Sequence, residues 1–345
     1  MSHLIFVPAA AAPDAGDTIA KQTAATLARL DERLRAERSS LADALVITVY
    51  LRRAADFAAM NDEYRQVWKG APPTRTTVVV NPATPGALVE MSAVAGPAGA
   101  ERRPVHPSSW MASPNPYSYA IRSGDTLFLS GLIARHGKDN TVVSGDVATQ
   151  SRAVLENAKE LLEAAGLSFA HVVSGRVFLP DLKDFAEMNR IYREYLGVDR
   201  PARATVGASL TAPAYNVEMT FVASAAPRQG IEIAPQPNPN LSAAVRAGSA
   251  LYVSGMLAEG DALTKDGAAQ TRDILRRLDT VLAKAEFARA DVRELLVYAT
   301  DDEAGKAASA ECRTAFGAKA AITPVIAGLA VAGGRVEIMS YAERG

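Results

Sequence analysis

The sequence predicts an α+β fold of three tandem β-β-α-β-α-β-β units closed into a pseudo-trimeric ring, with the first unit truncated at its N-terminus. Three observations carry this reading: blocks of sequence recur at fixed offsets, each block alternates strand-like and helix-like periods, and Pro-rich stretches separate the blocks. Asp56-Phe57-Ala58-Ala59-Met60-Asn61 recurs as Asp184-Phe185-Ala186-Glu187-Met188-Asn189, an offset of 128. The same offset takes Gln22 to Gln150, Arg75 to Arg203 and Glu90 to Glu218. A third, weaker copy follows: Leu127-Phe128-Leu129-Ser130-Gly131 reappears as Leu251-Tyr252-Val253-Ser254-Gly255, and Val217-Glu218-Met219 as Val336-Glu337-Ile338. Self-similarity of this kind marks a repeated structural unit.

The middle unit shows the element order most clearly. Residues 118–122 and 126–129 read as two strands around a Gly124-Asp125 turn. Ser144 is the expected cap of a helix whose apolar positions Val154, Leu155, Ala158, Leu161 and Leu162 keep helical spacing up to Gly166. Residues 172–179 read as a strand. Asp184 opens a second helix with Phe185, Met188, Tyr192 and Tyr195 as its buried stripe. Residues 204–209 and 217–223 are the last two strands, giving a mixed sheet with both helices on one face. In the first unit, residues 4–7 match the second strand. The expected boundaries are 1–96, 117–226 and 240–345, with linkers at 97–116 and 227–239.

Bulk properties exclude several classes. Lys plus Arg number 37 and Asp plus Glu 38, with no long run of like charge, which argues against a nucleic-acid partner. No stretch approaches a membrane span. The opening residues lack the basic segment of a signal peptide. A single cysteine, Cys312, permits no internal disulfide and fits a reducing, cytoplasmic setting. The four histidines lack ligand spacing, so no metal is expected. No phosphate loop or dinucleotide fingerprint occurs, so no cofactor is expected either.

The middle unit resembles the YjgF/RidA family over its whole length. The resemblance rests on Asn115-Pro116-Tyr117-Ser118-Tyr119-Ala120-Ile121, Gly124-Asp125-Thr126-Leu127-Phe128-Leu129-Ser130-Gly131, the Asp184–Asn189 block, Pro201-Ala202-Arg203-Ala204-Thr205-Val206 and Val217-Glu218-Met219. The first unit matches over its latter two thirds and the third in outline. The resemblance implies homotrimers among single-copy members, ligand clefts between subunits, and hydrolysis of enamines and imines such as 2-aminoacrylate to 2-keto acids and ammonia. It places the pocket arginine at Arg203 and Arg75, the glutamate at Glu218 and Glu90, and the tyrosine at Tyr117. Ser130, Gly131 and Asn189 take the remaining pocket positions. Thr205 stands where many members have cysteine.

The chemistry of these residues supports two readings each. Arg203 can hold a carboxylate by paired hydrogen bonds, or it can pair with Glu218 on a neighbouring strand. Glu218 can hold or deprotonate a water that attacks an imine carbon, or it can be an outward-facing strand residue. Tyr117 can close a pocket or pack on a neighbouring unit. Asn189 can bind ligand or lie on a helix surface. Ser130-Gly131 can offer backbone N–H groups to a ligand or simply end a strand. The third unit has Glu337 but Ile322 at the arginine position. One competent cleft is therefore expected. It is built on Arg75 with Glu90 or on Arg203 with Glu218, the latter favoured because the middle unit is the fullest. The expected protein is a monomeric pseudo-trimer, or a dimer of such rings, acting on a small carboxylate-bearing substrate. A chorismatase-like hydrolase or a non-catalytic ligand-binding protein is the alternative. The family's older endoribonuclease label sits poorly with the absent basic track.

Overall fold

The computed structural model describes residues 3–68, 70–198, 200–233 and 238–344. The first unit contains β1 (Ile5–Ala10), α1 (Ile19–Ala36), β2 (Ala44–Leu51), α2 (Phe57–Arg65), β3 (Thr74–Val79) and β4 (Val89–Ala95). The second contains β5 (Arg103–Val105), β6 (Ala120–Ser123), β7 (Thr126–Leu129), β8 (Leu132–Ile133), α3 (Val147–Ala164), β9 (Val172–Leu179), α4 (Phe185–Leu196), β10 (Ala202–Gly207) and β11 (Glu218–Ser224). The third contains β12 (Arg228–Ile231), β13 (Ala244–Ala247), β14 (Ala250–Leu257), α5 (Gly267–Lys284), β15 (Val292–Ala299), α6 (Asp302–Phe316), β16 (Ala321–Ile326), β17 (Gly328–Leu329) and β18 (Val336–Glu343). None of the helices described is long and apolar enough to cross a membrane.

Each unit is one sheet with two helices on one face. The first sheet runs β1-β4-β2-β3, and the strand pair β2–β3 is parallel. The other two repeat this order around parallel pairs β9–β10 and β15–β16. Under each helical layer lies an apolar core, for example Leu27, Leu30, Ile47 and Met60 in the first unit and Val154, Leu161, Val177 and Met188 in the second. The opposite sheet faces also bury apolar residues. Tyr50, Phe178 and Tyr298, one from each unit, belong to one shared cluster. A sheet buried on both faces must carry few polar side chains, and those it does carry need a reason.

Each unit touches both others through backbone. Val79 and Ser209 exchange hydrogen bonds between the first and second units at 2.8 and 3.2 Å. Val206 and Gly207 pair with Leu329 and Gly328 between the second and third. Asn81 bridges to Ile326 between the third and first.

Three expectations need correction. Asp146, not Ser144, caps α3, because its carboxylate accepts the Thr149 N–H at 2.8 Å. The segments read as linkers carry strands. Arg103–Val105 pairs with β6, and Arg228–Ile231 pairs with β13, each extending the sheet of the unit that follows. The part of the second linker at 234–237 lies outside the described residues. The α4 stripe is Met188, Ile191, Tyr192 and Leu196; Phe185 and Tyr195 are only partly buried.

The repeated glutamine has a structural explanation. Gln150 on α3 donates to Ala214 O (2.8 Å) and accepts from Asn216 N (2.7 Å), fixing the loop that leads into β11. Gln22 does the same for Leu88 N in the first unit, and Gln270 for Arg335 N in the third. Gln150→Leu should cost about 1–3 kcal/mol of stability, because both backbone groups lose a buried partner. Denaturant unfolding will measure it, and an unchanged midpoint would show that water replaces the amide.

Candidate active site

Strand register decides which arginine can meet which glutamate. Arg75 lies opposite Ile47 on β2, whereas Glu90 lies opposite Tyr50. Residues opposite one another share a face, and an odd spacing switches faces. Ile47 belongs to the core beneath the helices and Tyr50 to the cluster shared by all three units. Arg75 and Glu90 therefore project from opposite faces of one sheet. The second unit repeats this: Arg203 is opposite Gly175, Glu218 is opposite Phe178, and β9 runs between their strands. Ordinary sheet spacings put such a pair about 10 Å apart along the strands and about 9.5 Å across them. The expected pairs Arg75–Glu90 and Arg203–Glu218 do not form.

The arginine of one unit instead meets the glutamate of the next. Arg75, Thr77 and Phe57 from the first unit line one cleft with Tyr117, Gly131 and Glu218 from the second. Arg75 is 4% exposed, and its guanidinium carbon lies 4.9 Å from the Tyr64 ring centre and 5.5 Å from that of Tyr117. Its Nη1 is buried without a hydrogen-bond partner among the described residues. A desolvated cation with uncommitted donors is costly unless an anion completes it. Its backbone is held tightly: Ser130 Oγ accepts its N–H at 2.9 Å, and its carbonyl accepts the Gly131 N–H at 2.9 Å. Ser130 and Gly131 thus act as a seam between units. Their N–H groups go to Tyr119 O and Arg75 O, so they are not free to bind a ligand.

Gly131 has a second role. A Cβ there would sit 1.8 Å from Glu218 Oε1, so the carboxylate occupies space that only glycine leaves open. Burial pushes the Glu218 carboxyl up to about 8, against the opposing effects of a Thr77 backbone hydrogen bond and the charge of Arg75. A carboxyl raised this far can hold a proton near neutral pH.

The second cleft repeats the pattern one unit on. Arg203 and Thr205 line it with Ser254, Gly255 and Glu337. Ser254 Oγ accepts the Arg203 N–H at 2.8 Å, and Gly255 leaves room for Glu337 as Gly131 does for Glu218. Asn189 Oδ1 accepts from Arg203 Nη2 at 2.6 Å, so Asn189 orients the arginine. Burial raises Glu337 to about 8 as well. This cleft is wider, about 630 Å³ against about 270 Å³, and Leu241 lines it where a tyrosine would be needed. In the third unit, Ile322 holds the arginine's register position opposite Leu295. Ala9 occupies the glycine position of the first unit, and Glu90 turns instead to the Ala83 and Thr84 N–H groups at 3.0 and 2.8 Å.

The endoribonuclease L-PSP family model matches residues 9–96, 108–225 and 231–344. The chain belongs to the YjgF/RidA family. It carries three copies of the family unit in tandem. Among its relatives, a RutC family protein of Sulfurisphaera tokodaii is 40% identical over 109 residues, 32% of this chain and 87% of that protein. The human 2-iminobutanoate/2-iminopropanoate deaminase is 36% identical over 112 residues, 32% of this chain and 82% of that protein. The crystal structure of the Escherichia coli YjgF gene product covers 36% of this chain and 98% of its own, at 30% identity and a TM-score of 0.34.

Within this YjgF/RidA chain, Arg135 and Tyr215 also line the first cleft, and sequence reasoning passed over both. Arg135 Nε donates to Tyr215 Oη, and its Nη1 donates to Asn140 O at 2.6 Å. Both sit in connections beside strand ends, where ligand-binding residues concentrate, and that position was the available signal.

The raised carboxyls have a measurable consequence. From about pH 4.5 to 8 the folded chain keeps the Glu218 and Glu337 protons while the unfolded chain releases them, so stability falls as pH rises through this window. Glu218→Gln should make the decline in melting temperature between those pH values shallower. An unchanged decline would mean that Glu218 is ionised throughout.

Proposed function

We propose that the three units close into a pseudo-threefold ring and that its working site is the cleft between the first two. The site hydrolyses small enamine and imine acids to 2-keto acids and ammonia. The observation that carries this reading is the buried Arg75 guanidinium, whose Nη1 has no hydrogen-bond partner among the described residues, sharing a cleft with Glu218 and with Tyr117. The deaminase named among the relatives points to the same chemistry.

The steps follow from these groups. Arg75 takes the substrate carboxylate in a charge-assisted contact and fixes the plane of the adjoining double bond. Glu218 donates its proton to the enamine carbon, converting C=C–NH₂ to the iminium. The resulting carboxylate takes a proton from water as that water adds to the iminium carbon. The carbinolamine then expels ammonia and leaves the ketone. Glu218 ends in its starting state, and one water is consumed per ammonia released. Tyr117 and Arg135 wall the cleft and favour a short, polar substrate.

The second cleft keeps Arg203 and Glu337 but has Leu241 in its wall, so it contributes little to this turnover. Arg75→Ala should lower kcat/KM for freshly generated 2-aminoacrylate by roughly 30- to 1000-fold, about 2–4 kcal/mol, while Arg203→Ala stays near wild type. Ammonia release measures both. Equal losses would mean two working clefts, and no loss in either would remove the arginine clamp. Light scattering should give a mass near 36.4 kDa or twice that. An obligate trimer of chains would break the ring reading.

A further inference from the structure

Residues of all three sheets line a cavity of about 100 Å³ that shares no lining residue with either cleft. Its wall is set by equivalent positions, one from each unit. Val46, Ser174 and Glu294 correspond, each lying one residue before the strand position opposite Arg75, Arg203 or Ile322. Thr48, Arg176 and Leu296 form the next set, and all six residues line the cavity. Beyond them, Tyr50, Phe178 and Tyr298 pack in one cluster.

One guanidinium thus faces a space bounded by three sheets. Its partners are two neutral hydroxyls: the Tyr298 side chain, and Thr48 Oγ1, which Nη1 and Nη2 each reach only at 3.5 Å, the outer limit of such a bond. No carboxylate lies within ion-pair distance of it among the described residues, although Glu294 lines the same cavity. Burial pushes the Glu294 carboxyl up to about 7, against the charge of Arg176. Arg176 remains a cation under all ordinary conditions. Hydroxyls of Ser174 and Ser340 face the same space. A dry apolar filling would strand the cation, and the volume is several times what a single water needs.

We propose that this cavity is a second ligand site, which binds a small monovalent anion of about acetate size on Arg176, with Thr48 and Ser174 as hydroxyl donors. The cavity shares no lining residue with the clefts at Arg75 and Arg203. Its single cation depends on the fused chain. Three identical subunits would present three arginines here or none.

The test uses the full chain carrying Arg75→Ala and Arg203→Ala, so that neither cleft can hold a carboxylate. Its melting temperature should rise with added acetate and not with the neutral isostere acetamide, and a further Arg176→Met change should abolish the rise. No acetate response, or one that survives Arg176→Met, would overturn the site. Should the triple variant not fold, crystals of the wild-type chain soaked in sodium bromide give an independent reading. An anomalous peak in contact with the Arg176 guanidinium is expected, and a cavity without bromide would refute the proposal.

Discussion

The site depends on a parity. Three residues of register separate the arginine's row from the glutamate's, and an odd number sends their side chains to opposite faces of the sheet. No unit can therefore assemble a cleft alone. The cleft that holds Arg75 and Glu218 needs a neighbour whose strand end comes up against the arginine-bearing edge, and the serine–glycine seam performs that docking. Ser130 Oγ holds the Arg75 N–H and Gly131 N–H holds the Arg75 carbonyl, so the backbone that positions the cation is fixed by the unit that supplies the acid.

The junction between the third and first units keeps the same seam in altered form. At the third junction Pro8 stands where Ser130 and Ser254 stand elsewhere, and the hydroxyl comes from Thr323, which accepts the Ala9 N–H at 3.1 Å. The docking survives while the pairing of charges does not: Ile322 stands where an arginine would, and Ala9 stands where the other two junctions have glycine. An unpaired edge at this junction would expose backbone donors.

Much of the fold was legible in the sequence. The fixed offset of 128 exposed the repeat, and Phe185, Met188 and Tyr192 marked α4. The capping residue of α3 was misread because Ser144 and Asp146 are both good caps and only geometry separates them. The short edge strands 103–105 and 228–231 were hidden by the prolines around them. Arg75, Tyr117, Gly131 and Glu218 each stood out in the sequence, but that they line one cleft did not. The equal 15-residue spacing of Arg75–Glu90 and Arg203–Glu218 encouraged pairing within a unit, whereas the partner of each arginine is set by tertiary docking between units.

The connection between the first two units bears on how a ligand reaches the cleft. Arg102 bonds back to Ala44 O at 2.6 Å and Ala71 O at 2.8 Å, and the next residues run as a strand against β6. A tether bonded on both sides is a splice rather than a hinge. Opening by rigid rotation of one unit away from the other would break these bonds together with the Ser130 seam. Access to the cleft is thereby left to the side chains that line it, and the Tyr117 ring among them is itself packed edge-on against Tyr119 and beside the Arg75 guanidinium.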